Sequence, residues 1–277
     1  MGSVPPRMRV QKAKMEALRG KTALITGASS GLGVDFARYL AACGCALVLV
    51  ARRAERLREL QAELSTRYQV SGETVALDLA EPDAPQRLYD QLNRAGCTID
   101  VLINNAGHGL FGEFTTTPWE SLHQMMELDM VALTQLTHLF SADMVRRKDG
   151  YILLVASTGA FQPTPTYAVY AAAKSYVLML GEALHYELRR TGVQCTVLCP
   201  GPTRTEFFNV ANQQLTAYQR MTMMESATVA RIGLEALLRG RSSVVAGRFN
   251  ALFALATRLA PRQMLAGMAA MVMHEES

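Results

Sequence analysis

Short apolar runs alternate with longer helical patterns along most of this 277-residue sequence, and that alternation constrains the fold more than any other feature. Each short run is continuously apolar, which is typical of strands buried on both faces of a parallel sheet. The predicted strands are Thr22–Thr26, Ala46–Ala51, Thr74–Leu77, Val101–Asn104, Tyr151–Ala156, Val193–Leu198 and, as a last candidate, Ser243–Ala246. The predicted helices are Leu32–Ala42, Glu55–Tyr68, Ala84–Ala95, Trp119–Arg147 and Thr166–Thr191. We therefore expect an α/β fold, with a doubly wound parallel sheet flanked by helices in a single domain.

Composition and the two ends divide the chain into three parts. Hydrophobic residues make up 49% and charged residues 19%, which indicates a folded globular protein. Residues 1–19 carry much of the net charge of +4 without a nucleic-acid-binding motif, so we interpret them as a basic extension and expect no nucleic-acid partner. Within residues 249–277, the stretch Phe249–Met273 is rich in apolar residues and is interrupted by Arg258, Pro261 and Arg262. We expect them to form a helical tail packed on the body or on a partner chain, with membrane-surface contact as the alternative. Residues 20–248 form the main domain.

The five cysteines predict neither a disulfide framework nor a metal site, because they form no CxxC pair and no histidine cluster accompanies them. Cys45, Cys195 and Cys199 lie in apolar runs, where a thiol behaves as a small buried hydrophobe. A reducing compartment fits this pattern. The N-terminus lacks the apolar stretch of a secretory signal, so we expect a cytoplasmic protein.

A glycine-rich turn, TGASSGLG over residues 26–33, follows the first predicted strand and precedes a helix. Gly27, Gly31 and Gly33 remove side chains where the backbone turns and could approach a pyrophosphate, and the helix offers unpaired N–H groups to phosphates. The spacing is not GxGxxG, so the turn alone also admits a purely structural interpretation. Its place in a strand–helix–strand unit favours dinucleotide binding.

The ends of the next strands carry further candidate cofactor residues. Arg52 and Arg53 follow the second strand, where a carboxylate would favour NAD, so these guanidiniums favour NADP(H). A solvated helix start is the alternative interpretation. Asp78, followed by Leu79, ends the third strand and could accept a hydrogen bond from adenine or act as a turn residue. The segment Asn104–Gly107, NNAG, ends the fourth strand with small residues that allow close approach of the adenosine ribose.

Three polar residues suggest the chemistry. Ser157 ends the fifth strand, and Tyr170 and Lys174 stand four residues apart on the following helix, so they share one face. A neighbouring ammonium lowers the pKa of a phenol, which lets Tyr170 exchange a proton with a carbonyl or alcohol. Ser157 would donate a hydrogen bond to the same oxygen, and Lys174 would also hold the nicotinamide ribose.

These motifs, together with PGPTRTEF over residues 200–207, resemble the short, single-domain branch of the short-chain dehydrogenase/reductase family across residues 20–245. The resemblance implies a Rossmann-type sheet of about seven strands, NADP(H) as cofactor with NAD possible, and homodimers or homotetramers built on two long helices. It also implies that Gly201, Thr203 and Thr205 contact the nicotinamide carboxamide. The full set predicted to contact the cofactor is Gly27, Ser29, Ser30, Gly31, Leu32, Gly33, Arg52, Arg53, Asp78, Leu79, Asn105, Ala106, Gly107, Tyr170, Lys174, Pro200, Gly201, Thr203 and Thr205.

One position departs from the family pattern. The family usually has an asparagine in the helix after NNAG, where it supports a water that links the lysine to solvent, and this chain has Asp129. An ionised Asp129 would draw the charge of Lys174 away from Tyr170, whereas a protonated one would serve like asparagine. We predict that Asp129 slows or re-tunes catalysis without abolishing it.

The substrate residues are predicted only in outline. His108, Leu110, Gln162 and Phe207 are expected around the nicotinamide face, and their mainly apolar character favours an apolar carbonyl or alcohol. His108 is interpreted as a polar loop residue because Tyr170 already fills the acid–base role. The sequence thus predicts an NADP(H)-dependent oxidoreductase. A catalytically weak NADP-binding sensor or scaffold of the same fold is the alternative.

Overall fold

The protein is described by a computed structural model over residues 16–211 and 213–274. Seven parallel strands form one sheet in the order β3-β2-β1-β4-β5-β6-β9. These strands are β1 (Thr22–Thr26), β2 (Ala46–Ala51), β3 (Gly72–Ala76), β4 (Val101–Asn104), β5 (Gly150–Val155), β6 (Val193–Cys199) and β9 (Ser243–Val245). The strands β7 (Thr203–Arg204) and β8 (Met224–Glu225) pair separately.

Helices cover both faces of the sheet. They are α1 (Gly31–Ala42), α2 (Ala54–Tyr68), α3 (Ala84–Arg94), α4 (Trp119–Met126), α5 (Leu133–Arg147), α6 (Ala168–Leu188), α7 (Phe207–Val210), α8 (Ala217–Thr222), α9 (Ser226–Leu238), α10 (Arg248–Ala256) and α11 (Arg262–His274). A π-helical segment, Glu127–Ala132, joins α4 to α5, and a 3₁₀ turn, Thr158–Phe161, follows β5. Among the described residues, no helix has the length and apolar character needed to span a bilayer.

The predicted seven-stranded Rossmann-type sheet is confirmed, and the ends of most elements differ from the predicted ones by one to three residues. Two differences have an evident physical reason. The third strand begins at Gly72 rather than Thr74, because Gly72 continues the parallel register opposite Leu47 although it adds no apolar side chain. The single helix predicted over Trp119–Arg147 contains the π-helical segment, which hydrophobic periodicity does not reveal. Residues 1–15 of the predicted extension and 275–277 of the predicted tail lie outside the described residues.

Two apolar layers sandwich the sheet, because successive strand side chains point to opposite faces. On β1, Leu24 belongs to the layer packed against α3, α5 and α6, whereas Ile25 belongs to the layer packed against α1, α2 and α9. Phe36 of α1 and Leu102 of β4 are among the fully buried side chains of these layers. Burial on both faces explains why the strands read as continuous apolar runs.

Gly181 of α6 tests this packing. An added Cβ would overlap Val197 of β6 and lie 3.1 Å from Leu154 Cδ1. We expect Gly181→Ala to destabilise the fold by about 1–3 kcal/mol, because overpacking outweighs the helix propensity of alanine. The matched control is Gly267→Ala in α11, where no atom lies within 4 Å, and it should be neutral or stabilising. Urea denaturation midpoints measure both, and equal stability of the two variants would contradict the expectation.

Candidate active site

A cleft of about 490 Å³ lies at the carboxyl edge of the sheet. Residues that directly follow six strands line it: Gly27, Arg52, Leu77, Asn105, Ala156 and Pro200. The chain order reverses between β1 and β4, which are neighbours in the sheet, and such a switch point is where open α/β sheets bind ligands. The fold therefore places the predicted motifs around one concave site.

The glycine-rich turn forms one wall of the cleft with its backbone. Gly27 and Gly31 have φ values of 66° and 52°, a region that disfavours residues with a Cβ. A Cβ at 27 would lie 2.9 Å from Ala106 Cα, and one at 31 would lie 2.8 Å from Thr205 Cγ2. The turn thus leaves a bare backbone cradle at the N-terminus of α1, as a pyrophosphate requires.

Thr26 joins this turn to the end of β4. Its hydroxyl oxygen accepts hydrogen bonds from the N–H groups of Asn105 at 3.0 Å and Ala106 at 2.9 Å. The Asn105 amide in turn donates to the Thr26 carbonyl at 2.9 Å. These bonds fix the separation between the glycine turn and the NNAG segment.

An ion-pair network lies at the arginine end of the cleft. Arg53 donates to Ser29 Oγ at 3.1 Å and to Glu206 at 2.9 Å, and Arg56 donates to the second Glu206 oxygen at 2.6 Å. Hydrogen bonds from Arg56 and Arg53 hold the pKa of Glu206 below its usual value. Arg53 and Glu206 both line the cleft. Glu206 thus pairs with Arg53, one of the two guanidiniums predicted to favour NADP(H), and with Arg56, which was not in that prediction.

Arg52 has a looser environment. Its guanidinium lies 3.7 Å from Asp78, and its side chain is 73% exposed, so it is free to reorient toward a ligand. Asp78 accepts a hydrogen bond from the Ala80 N–H at 3.1 Å, as a turn residue does. Both side chains line the cleft, so the turn role of Asp78 does not remove it from the ligand side.

Ser157, Tyr170 and Lys174 come together at the other end of the cleft. Ser157 caps the 3₁₀ turn after β5, and its Oγ accepts from the Gly159 N–H at 3.1 Å. The Ser157 hydroxyl lies close enough to Tyr170 to lower the pKa of the phenol. The Lys174 ammonium lies 5.7 Å from the centre of the Tyr170 ring and donates to the Val155 carbonyl at 3.3 Å. The three residues predicted to carry the chemistry are therefore adjacent.

Asp129 stands behind this group, fully buried in the π-helical segment. One carboxylate oxygen lies 2.9 Å from Lys174 Nζ, and the other accepts the backbone N–H of His108 at 3.1 Å. A Cβ at Gly107 would lie 2.9 Å from the carboxylate and 3.0 Å from the ammonium, so glycine there makes room for the pair. Asp129 contacts Lys174 directly and does not line the cleft.

The electrostatics of the site differ from the expectation based on the lysine alone. Desolvation by the surrounding protein raises the pKa of Tyr170; Lys174 and the Ser157 hydrogen bond lower it, Asp129 raises it, and the net direction is upward. Burial lowers the pKa of Lys174, but Asp129 and Tyr170 outweigh it and hold that pKa above its usual value. Burial also lowers the pKa of His108, which favours a neutral imidazole.

The substrate end of the cleft is walled by aromatic rings. Tyr170 lies 5.5 Å from Tyr167 and 5.6 Å from Phe207, measured between ring centres. The Tyr167 hydroxyl donates to Gln213 at 2.6 Å, which anchors the ring cluster to the loop before α8. Residues of α8, α10 and α11 complete the wall: Tyr218, Gln219, Phe253, Leu265, Met268 and Ala269.

Most of the predicted cofactor and substrate residues line this cleft, and two do not. Gly33 lies behind it, where an added Cβ would meet the Gly27 carbonyl, so it serves the packing of the turn on the helix. Leu110 is also outside the lining of this cleft, and its predicted contact with substrate stays a prediction. Gly109 packs against the rings of Tyr167 and Phe207, and His108 and Phe207 line the cleft instead.

Sequence reasoning missed several residues of the site. Glu206 lies within the PGPTRTEF motif, yet its arginine partners are about 150 positions away in the chain, so no local pattern connects them. Gln213 and Gln219 belong to a segment without a recognised motif. The apolar tail was recognised, but its periodicity did not show that Phe253 and Leu265 reach the cleft.

Comparisons with known proteins agree with this geometry. The family model described as short chain dehydrogenase matches residues 21–216. A very-long-chain 3-oxoacyl-CoA reductase of Phaeosphaeria nodorum is 38% identical over 185 residues, which cover 64% of this chain and 54% of that relative. A human protein of the same name is 28% identical over 227 residues, covering 80% of this chain and 71% of that protein. This chain thus spans about half the length of the fungal relative.

A solved structure gives the same result. A short-chain dehydrogenase from Sphingobium yanoikuyae in complex with NADPH is 31% identical, with a TM-score of 0.76 over 86% of this chain and 94% of that one. The family model covers well over half of the sequence and includes the glycine turn, Ser157, Tyr170 and Lys174. The chain therefore belongs to the short-chain dehydrogenase family.

Proposed function

We propose that this chain is an NADP(H)-dependent oxidoreductase that transfers a hydride between the nicotinamide and an apolar carbonyl or alcohol, with Tyr170 as general acid and base. The observation that carries the proposal is the meeting of Ser157, Tyr170 and Lys174 in one cleft with a glycine backbone cradle. A protein that only bound the dinucleotide would need the glycine cradle but not the three polar residues beside it.

The residues present fit a dinucleotide. The bare backbone at Gly27 and Gly31 suits a pyrophosphate at the N-terminus of α1, and Arg52 and Arg53 suit a 2′-phosphate. The NADPH named with the Sphingobium structure supports the same choice. When bound, the nicotinamide would supply or accept the hydride.

The protein side of the reaction is a proton transfer. In reduction, Tyr170 gives its phenolic proton to the carbonyl oxygen as the hydride reaches the carbonyl carbon, and Ser157 donates a hydrogen bond to that oxygen. Lys174 stabilises the phenolate until solvent returns a proton. In oxidation, the phenolate takes the alcohol proton and the hydride leaves the same carbon.

The substrate is proposed to be apolar because aromatic and aliphatic side chains wall the reactive end of the cleft, including Tyr167, Phe207, Phe253 and Leu265. The names of two relatives make 3-oxoacyl thioesters a first choice for a substrate panel, beside bulky ketones. His108 is proposed to be a polar contact rather than an acid.

A second candidate is a catalytically weak NADP-binding sensor or scaffold. The buried pair of Lys174 and Asp129 favours it, since the carboxylate neutralises the ammonium that would stabilise the Tyr170 phenolate. In that case cofactor binding persists and turnover is slow with every substrate.

Assembly and location are also proposals. The outward side of α6 leaves Met179 and Tyr186 more than 60% exposed, which supports a homodimer or homotetramer built on this helix. All five cysteines are free, which supports a reducing, cytoplasmic location.

Replacing Tyr170 tests the proposed role directly. Tyr170→Phe should lower kcat for NADPH-dependent ketone reduction by about 10²–10⁴-fold, because the proton donor is lost. NADPH binding, followed by fluorescence, should persist. Tyr89→Phe is the matched control, since it removes a hydroxyl bonded to Asp143 far from the cleft. If the panel gives no turnover with the parent while NADPH still binds, the sensor candidate replaces the enzyme.

Asp129→Asn tests the electrostatic role of the carboxylate. Asp129 raises the pKa of Tyr170, so its neutralisation should lower that pKa. Oxidation needs the phenolate, so the acidic limb of its pH–rate profile should move to lower pH, and the rate at neutral pH should rise. Reduction needs the phenol, so its alkaline limb should move in the same direction. Rates are measured over about pH 6 to 9.

The control for Asp129→Asn is Asp90→Asn, an equal loss of charge on the exposed side of α3. It should leave both limbs in place. Unchanged limbs in Asp129→Asn, or a variant no faster than the parent at any pH, would contradict the proposed role.

Glu206 should oppose NADPH binding, because its carboxylate competes with a 2′-phosphate for Arg53 and Arg56. We expect Glu206→Gln to tighten NADPH binding by up to about fivefold, the scale of one exposed ion pair, and to leave NADH unaffected. Glu55→Gln is the control on α2, where Glu55 pairs with Arg58 outside the cleft. Calorimetric Kd values decide; equal tightening of NADH would show that the 2′-phosphate is not involved.

A further inference from the structure

The large apolar side chains that remain exposed are concentrated at one end of the chain. Of fourteen such residues in the described parts, seven lie within residues 249–271. They are Phe249, Leu252, Leu255, Leu259, Met264, Met268 and Met271, and we call the surface that they form the C-terminal face. Single exposed apolar residues are ordinary, but a concentration of this kind marks an interaction surface.

The spacing places these residues on the outer sides of two helices. In α10, Phe249, Leu252 and Leu255 follow one another at intervals of three, and in α11, Met264, Met268 and Met271 follow at four and three. Residues at these intervals share one face of a helix. The apolar residues therefore form two stripes, joined by Leu259 in the connection.

The inner sides of the same helices are apolar as well. Phe253 and Leu265 line the cleft, and Ala254 and Ala269 are buried. A helix that faces water normally has a polar outer side, so helices apolar on both sides call for a second apolar medium. The inner side is explained by the cleft, and the outer side is not.

The charged side chains of α10, α11 and their connection are arginines, and the nearest acids in the sequence are Glu275 and Glu276, outside the described residues. Arg248, Arg258 and Arg262 are exposed, and residues 248–274 include no aspartate or glutamate. No ion pair joins these arginines to another residue in the described part of the chain. Arginines interleaved with an apolar stripe match the anionic headgroups and acyl chains of a lipid surface.

We propose that the C-terminal face binds the surface of a bilayer that contains anionic phospholipids. The helices lie in the plane of the interface, since α11, with 13 residues, is too short to cross about 30 Å of hydrocarbon. Met268 is 44% exposed and also lines the cleft, so it connects the bound surface to the site. An apolar substrate can then enter from the acyl region, a step that rests on the proposed function.

A second copy of the chain fits this face less well. A two-fold contact places the same patch on both partners, so the arginines of α10 and α11 would face the same arginines, and the nearest acids in the sequence, Glu275 and Glu276, lie outside the described residues. A separate apolar surface is available on α6, where Met179 is 67% exposed without such a cluster of cations. The two surfaces therefore suit different partners.

Co-sedimentation of the full chain with vesicles tests the proposal. Phosphatidylcholine vesicles containing phosphatidylglycerol should bind the protein, pure phosphatidylcholine vesicles should bind it weakly, and added salt should reduce binding. The double variant Leu252→Gln/Leu259→Gln should weaken binding at least about tenfold through lost apolar contact. Arg258→Gln/Arg262→Gln should weaken it by about fivefold for each arginine.

The control is Val131→Gln/Met179→Gln, which instead removes one exposed apolar side chain from the π-helical segment and one from α6. It should bind vesicles like the parent. Tyr170→Phe should also bind like the parent, so failure of the catalytic proposal leaves this result intact. Absence of binding to anionic vesicles at low salt overturns the inference. Equal binding by the leucine variant and the control also overturns it. The same holds if the leucine substitutions dissociate an oligomer in solution and leave vesicle binding unchanged.

Discussion

The hydroxyl of Thr26 holds together the two halves of the sheet edge on which the site is built. It accepts hydrogen bonds from both Asn105 and Ala106 where β1 and β4 end. The chain reverses its direction of winding between these strands, and their parallel pairing aligns them only as far as Ile25 and Ile103. Because the glycine turn follows β1 and the NNAG segment follows β4, the Thr26 hydroxyl and the Asn105 amide together extend this alignment to the two turns. A cofactor cradle made of backbone depends on such a fixed distance.

Gly107, in the segment that Thr26 holds, also determines where the charged pair behind the cleft can lie. NNAG ends at Gly107, and the absence of a side chain there admits both the Asp129 carboxylate and the Lys174 ammonium. The π-helical segment carries Asp129 to this position, fully buried. A buried pair is costly to separate, because either partner alone would be an uncompensated charge. Lys174 is therefore shared between a carboxylate and the phenol of Tyr170, and the pKa of Tyr170 reflects that division.

The sequence predicted those parts of the fold and site in which neighbouring residues act together. Strands buried on both faces appear as apolar runs, and Tyr170 and Lys174 are separated by one helical turn. Both features could therefore be predicted from residues that are close in the sequence. Glu206 and Arg53 are 153 positions apart and meet only when the sheet has formed. The π-helical segment differs from an α-helix in hydrogen bonding rather than in residue pattern. Leu110 lies in a loop, which has no periodicity from which the side facing the cleft can be assigned.

The last two helices show why packing alone does not explain this sequence. Their inner sides close the substrate end of the cleft, and stability would be served equally well by a polar outer side. The outer side instead repeats the apolar stripe and adds only positive charge. Exposed leucine and methionine add nothing to a monomer in water and raise its tendency to aggregate. Retaining them is consistent with a second contact, and since Met268 belongs to both the cleft and the outer surface, whatever covers that surface also borders the site. Substrate access and surface binding are thus coupled through the same two helices.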